Sequence, residues 1–258
     1  MAALLFSTVE ATKVQRPLEE VAQPEGPKIR VLLAKSAPSI LLESKGAYRV
    51  VRQDTGLQIS SGLVGKRYIV HGIASGLRWG EEFPGVTQFT LYPASAQTVV
   101  YVNGFQYKGA VNVYLDKNRQ ITVVNEVAIE DYIRSTLAVA SDYNLSKEAL
   151  AAICIGARTE AYTQSLEGGA NKTYWDVKAS DVGYFGCGVV MQKNQLDTSI
   201  DHTRFMVLEG ENGEPLKNVK LSASKLEELA QAGHDAKRIL HSSYPSSHLN
   251  LTTQLRVR

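Results

Sequence analysis

The sequence predicts an α+β protein whose strands come first and whose helices follow. Three observations predict it. Between residues 29 and 124, short runs of β-branched and aromatic residues recur with Gly, Ser, Asn and Asp between them. Beyond residue 128 the apolar residues recur instead at three- and four-residue steps. The change happens once, and strands followed by helices favour an α+β fold over an alternating α/β sheet. The expected organisation is a leader and linker at 1–27, then one domain at 28–250. Its β-rich part is 28–125 and its helical core 126–250.

The elements follow in order. Ile29–Ala34 is the first strand, followed by Ile40–Leu42, Tyr48–Val51 and Arg67–Val70. Phe89–Tyr92, Val99–Val102, Val111–Leu115 and Ile121–Val124 complete the set. Asn103-Gly104 and Asp116-Lys117-Asn118 have the composition of hairpin turns. Glu130-Asp131-Tyr132-Ile133 opens a helix with an acidic first turn, which suits the positive end of the helix dipole. Asn144 or Ser146 can cap a longer helix, Ser146–Gln164. One face of it is built from small residues, so a neighbour must pack closely there. Lys225–Ala232 and His234–His241 read as short helices broken at Gly233.

Composition narrows the function classes. At 258 residues the chain can bury a sizeable core, and 44% hydrophobic with 21% charged residues argues against global disorder. A net charge of +2 gives no field that would drive it onto nucleic acid. Cys154 and Cys187 are too few for a disulfide framework or a cysteine-based zinc site. Cys154, inside an apolar run, reads as a buried, inert thiol. No apolar run is long enough for a transmembrane helix. At the N-terminus, Ala2–Phe6 and Val9-Glu10-Ala11 resemble the core and cleavage end of a signal peptide without its charged start. A truncated signal and an ordinary N-terminus both remain open.

Three stretches carry a family resemblance. Asn103–Gly109 with Val123–Ile133 resembles the pattern "NGxxYxG…VNxVxLEDYL". Glu148–Thr159 is close to "EALKAQAVAARTY", and Gly233–Leu240 with Tyr244-Pro245 is similar to "GxSYEEILKYYYP". Ile29–Lys35 also resembles the family's opening strand. Together they span most of residues 29–250 and resemble the SpoIID/LytB family (sporulation stage II protein D, amidase enhancer).

The resemblance implies a peptidoglycan-associated, periplasmic or extracytoplasmic protein of cell-wall remodelling, with glycan strands and a cell-wall amidase as partners and no cofactor. Its implied chemistry is lytic transglycosylation. One carboxyl protonates the glycosidic oxygen, and the sugar's own C6 hydroxyl attacks the anomeric carbon. A second carboxylate, which hydrolases need, is then dispensable. Aligned without gaps, the family's catalytic Glu falls on Ala140. The replacement acids are Asp142, two residues on, and Glu160, with Asp142 also readable as a turn residue and Glu160 as a surface or salt-bridged residue. Arg158 would contact substrate or hold a carboxylate, Asp131 or Asp176 being the internal alternatives; Thr159 beside it also matches the motif. Tyr143, Trp175 and Tyr184 would stack on sugar rings, with Trp79 a further aromatic. The His/Cys set that binds zinc in other members is missing from residues 174–186, so no metal is expected. The family's "SGG" and "SQxGA" segments are reduced to Ser222-Ala223-Ser224. Three functions compete: a glycan-binding relative with a degenerate site, an active lytic transglycosylase, and an envelope protein-interaction module. The absence at Ala140 favours the first.

Overall fold

A computed structural model describes residues 26–95, 97–140, 145–170, 173–188 and 194–252. Its first half is all strand: β1 (Lys28–Ala37), β2 (Ser39–Lys45), β3 (Tyr48–Arg52), β4 (Gln58–Gly62), β5 (Lys66–Ile73) and β6 (Gly76–Trp79). β7 (Glu81–Pro84), β8 (Gln88–Pro93), β9 (Val99–Val102), β10 (Phe105–Tyr107), β11 (Ala110–Leu115) and β12 (Ile121–Ala128) follow. The second half holds α1 (Ile129–Ala140), α2 (Lys147–Ala170), β13 (Val177–Lys178), α3 (Ala179–Val182) and α4 (Asn194–His202). β14 (Met206–Gly210), α5 (Ala223–Gln231), α6 (Ala236–Ser243) and β15 (Ser247–Leu251) end it. The fold is α+β, as expected.

Two sheets pack face to face. One has the order β13-β1-β12-β11-β8-β3-β4, the other β10-β9-β2-β5-β6-β7. Their inner faces share one core, in which Val31, Val50, Phe89 and Val111 of the first sheet meet Leu42, Val70, Trp79 and Val100 of the second. Tyr48 meets Trp79 edge-on at 5.3 Å, and Phe83 meets Phe89 at 5.9 Å. The indole of Trp79 donates to the Leu42 carbonyl at 3.0 Å, so its polar atom is satisfied inside. The Asn103-Gly104 turn takes the positive φ values, 50° and 86°, that a tight two-residue hairpin requires.

The strands β4, β6, β7 and β10 were not legible in sequence. Gln58–Gly62 and Glu81–Pro84 carry Ser, Gly, Glu and Pro in place of an alternating apolar pattern, and Gly76–Trp79 alternates only at Leu77 and Trp79. They form because neighbouring strands offer them backbone partners. The helix α4 and the hairpin β14–β15 were likewise unanticipated.

The long helix runs to Ala170, not Gln164, and is buried nearly all round, from Ala149 and Leu150 through Ser165. Its start is fixed by Ser146, whose backbone N–H donates to the Glu227 carboxylate at 2.7 Å. The small-residue face does have a close neighbour. A Cβ on Gly156 would lie 2.5 Å from Leu221 Cδ1. The turn at Gly233 (φ 85°) separates α5 from α6 as expected, and the Asp235 side chain caps α6 at the Arg238 N–H. These helices close a second small core with Ala149, Ala152, Ile155 and Leu208.

Candidate functional site

The motif residue Arg158 lies in the interior of the helical half. It is fully buried and grips Glu130 of α1 with two bonds, Nε to Oε1 at 2.7 Å and Nη2 to Oε2 at 2.8 Å. Its remaining donors reach the Met206 carbonyl at 3.2 Å, the Ile200 carbonyl at 3.3 Å and Thr203 Oγ1 at 3.4 Å. One guanidinium thus ties α2 to α1, α4 and β14. Its carboxylate partner is Glu130, not Asp131 or Asp176. Asp131 pairs with Lys108 at 2.9 Å and Arg134 at 3.2 Å, and Asp176 pairs with Arg30 at 2.6 Å. Thr159 is buried as well. Its hydroxyl donates to the Ile155 carbonyl and accepts the Leu208 N–H at 2.9 Å, pinning β14 to α2. Neither side chain reaches the surface, so the expected contact of Arg158 or Thr159 with substrate is corrected to a role in holding the helices together.

Other motif residues are also interior. Tyr184 is 3% exposed and donates its hydroxyl to Asn125 Oδ1 at 2.7 Å. Its ring lies against Tyr107 and Tyr132. Burial holds its phenol well above the usual range. Trp79 is fully buried. Neither ring has a free face for a sugar, which corrects the stacking role expected of them. Trp175 is half-buried, with the Lys35 ammonium 5.5 Å from its ring centre. Asp142 and Tyr143 lie outside the described residues.

The described carboxylates around α1 and α2 are committed elsewhere. Glu160 accepts the Val219 N–H at 3.2 Å and the Gln164 amide at 3.3 Å. Glu148 accepts the Ala236 N–H at the start of α6. The Ser146 N–H bonded to Glu227 holds that carboxyl below its ordinary value. Asp197 and Asp201 both bind Arg134. A cavity of about 380 Å³ is lined by Asp131 together with Lys28, Tyr92, Glu126 and Arg204, where Lys28 pairs with Glu126. Among the described residues no group of three or more His, Cys, Asp or Glu is arranged to hold a metal ion.

Beside polar residues such as Asn103 and Lys108, the motifs place apolar rings at the surface. The segment from Gly183 to Gly188 is fastened on two sides. Gly186 adopts φ 77°, and its carbonyl accepts the Ser135 hydroxyl of α1 at 2.5 Å. The Cys187 N–H donates to the Gln106 carbonyl of β10 at 2.7 Å. A Cβ on Gly186 would strike that same carbonyl oxygen, so a larger residue would force the segment away. This fastening sets Phe185 beside Phe105, ring centres 6.4 Å apart, with Phe105 48% and Phe185 45% exposed. Val139, one turn beyond Ser135 on α1, is 48% exposed. Cys187 beside them is half-buried, and burial pushes its thiol up. Val139 lies on the same side of α1 as Ser135, the residue that holds Gly186. Neither phenylalanine stands among the expected site residues: Phe105 occupies an unspecified position of the Asn103–Gly109 pattern, and nothing in periodicity marks a ring that burial leaves outside.

A family model described as "SpoIID: Stage II sporulation protein" matches residues 117–209, the span from the β11–β12 turn to β14. An uncharacterized protein of Chlamydia muridarum (strain MoPn / Nigg) is 37% identical over 223 residues, 86% of this chain and 77% of the relative. One of Chlamydia pneumoniae is 37% identical over 222 residues, 84% of this chain and 79% of the relative. An uncharacterized protein of Brachyspira hyodysenteriae (strain ATCC 49526 / WA1) is 27% identical over 179 residues, 69% of this chain and 47% of the relative. No solved structure matches. With the family model on the α1–α2 core and relatives alike over most of the chain, the protein belongs to the SpoIID family.

Proposed function

We propose that this protein binds peptidoglycan glycan strands outside the cytoplasm during cell-wall remodelling, through the surface at the end of α1. The SpoIID family has a cell-wall-related role. The observation that carries the finer reading is the exposed Phe105–Phe185 pair, fastened through Gly186 to Ser135 of α1, the helix that ends at Ala140. Exposed, pre-positioned rings offer flat apolar faces to the C–H faces of sugar rings at low entropic cost. The cleavage step is degenerate in this reading. Ala140 has no carboxyl, and Glu160 is held by the Val219 N–H instead of facing that surface.

A second reading keeps catalysis. Asp142 follows Ala140 by two residues in the sequence, and its carboxyl would supply the general acid. The two readings separate in one experiment. Purified protein is incubated with sacculi and with denuded glycan strands, then bound protein and anhydro-muramyl products are measured. Binding without products supports the first reading. Products that disappear in Asp142→Ala replace it with the second. Absence of binding overturns both. Ala140→Glu sharpens the result: products gained by this variant alone locate the missing acid. An amidase partner is tested alongside, by the rate at which a cell-wall amidase releases stem peptides with and without the protein.

A further inference from the structure

A second apolar surface lies in the β-rich half, at the turn between β4 and β5. Leu63 is 91% and Val64 77% exposed, the highest values among the described large hydrophobic residues. Such exposure at consecutive positions is unusual for a side chain with no partner to meet. The backbone on each side of the two residues is clamped. A Cβ on Gly62 would lie 2.6 Å from the Tyr48 ring, and one on Gly65 would lie 2.5 Å from the Ser44 carbonyl oxygen. The turn is therefore pressed against the sandwich at its base, which holds the two side chains outward.

Basic residues surround this tip. Lys66 and Arg67 open β5, and Lys45 ends the neighbouring β2. Arg49 sits opposite Ser61, two residues before the tip. Glu43 and Glu81 are the acidic residues among them, so four cations against two carboxylates leave a local charge of +2. Lys66 pairs with Glu81 at 2.7 Å, while the contacts of Glu43 are looser, 3.6 Å to Arg67 and 3.9 Å to Lys45. Tyr68, 53% exposed, stands beside Lys66. Apolar tip, basic collar and adjoining tyrosine are the parts of a bilayer-interface contact.

We propose that the Leu63-Val64 tip inserts into an anionic lipid surface, with the exposed Lys45, Arg49 and Arg67 at the headgroups and Lys66 held inward by Glu81 and the Trp79 ring. A protein partner fits less well. Stable protein interfaces bury about 800 Å² on each side, more than one hairpin tip offers, whereas a bilayer accepts a tip alone. The attachment does not depend on the glycan-binding reading.

The test is co-sedimentation of the full chain with vesicles of phosphatidylcholine, with and without phosphatidylglycerol. Wild-type protein is expected to sediment with the anionic vesicles and to be released by salt. The double variant Leu63→Asp/Val64→Asp is expected to lose at least about tenfold in partitioning, with unchanged thermal unfolding and unchanged sacculus binding. Arg49→Glu/Arg67→Glu is expected to weaken binding to anionic vesicles only. Failure of the wild type to sediment, equal sedimentation with both vesicle types, or full binding by the aspartate variant overturns the proposal. So does a tip whose substitution abolishes capture of a protein while leaving vesicle partitioning intact.

Discussion

The interior around Arg158 and the surface around Phe185 are built from neighbouring motif stretches, yet they invert each other. In the first, a guanidinium and two hydroxyls are buried and satisfied, with the largely buried Glu130 carboxylate as the guanidinium's partner. In the second, two phenylalanines and a valine are left about half exposed, while the backbone beneath them is fastened by hydrogen bonds. Burying charge without a partner, or exposing rings beside a packed core, each runs against the hydrophobic effect. The first is compensated inside the fold by Glu130. The second has no compensation among the described residues, and it is the surface proposed to bind glycan. In that reading, residues that hold the family's core together and residues that meet a glycan are different sets.

The comparison breaks most visibly at Arg158. Arg158→Ala leaves the largely buried Glu130 without its cation and is expected to destabilise the protein by about 3 kcal/mol in urea unfolding. A variant that keeps wild-type stability but loses sacculus binding would return Arg158 to the substrate. The opposite pattern is expected of Phe105→Ala/Phe185→Ala, with stability within about 1 kcal/mol of wild type and sacculus binding down about tenfold. If that variant unfolds instead, the rings belong to the core and the surface reading fails.

The interior also predicts an alkaline limit. Burial pushes Tyr107 and Cys154 up to about 12 and holds Tyr184 higher still than its usual range. An unfolded chain releases these protons from about pH 9 to 10, while the folded one keeps them. The stabilisation is therefore complete below those values and is lost as pH rises through the folded ones. The thermal midpoint is expected to fall as pH climbs from 9 towards 12 by more than in Tyr184→Phe, which removes one of these phenols. At neutral pH the same variant is expected to cost about 1 kcal/mol, through the hydrogen bond lost to Asn125. Cys154 should resist alkylation until the chain unfolds, as thiol titration in and out of urea would report.

Much of the fold was legible because period and turn chemistry are local. Asn103-Gly104 required a tight hairpin, and the acidic opening of Glu130-Asp131 marked α1 at its true start. The small-residue face of α2 foretold a close neighbour without naming Leu221. The short strands β4, β6 and β7 were illegible because their partners, not their own side chains, create them. The site was read less well than the fold. A motif match cannot separate a side chain needed for packing from one needed for binding, since both are required at fixed positions.

By itself, the sequence determined the family and the order of strands before helices. These depend on residue identity and spacing, which a chain carries before it folds. Tertiary structure decided which of the motif residues face water. It sent Arg158, Thr159 and Tyr184 inward, brought Phe105 from a hairpin to Phe185 from a turn eighty residues later, and held Leu63 and Val64 outward. Burial is settled by contacts between distant segments, and only the folded chain makes them.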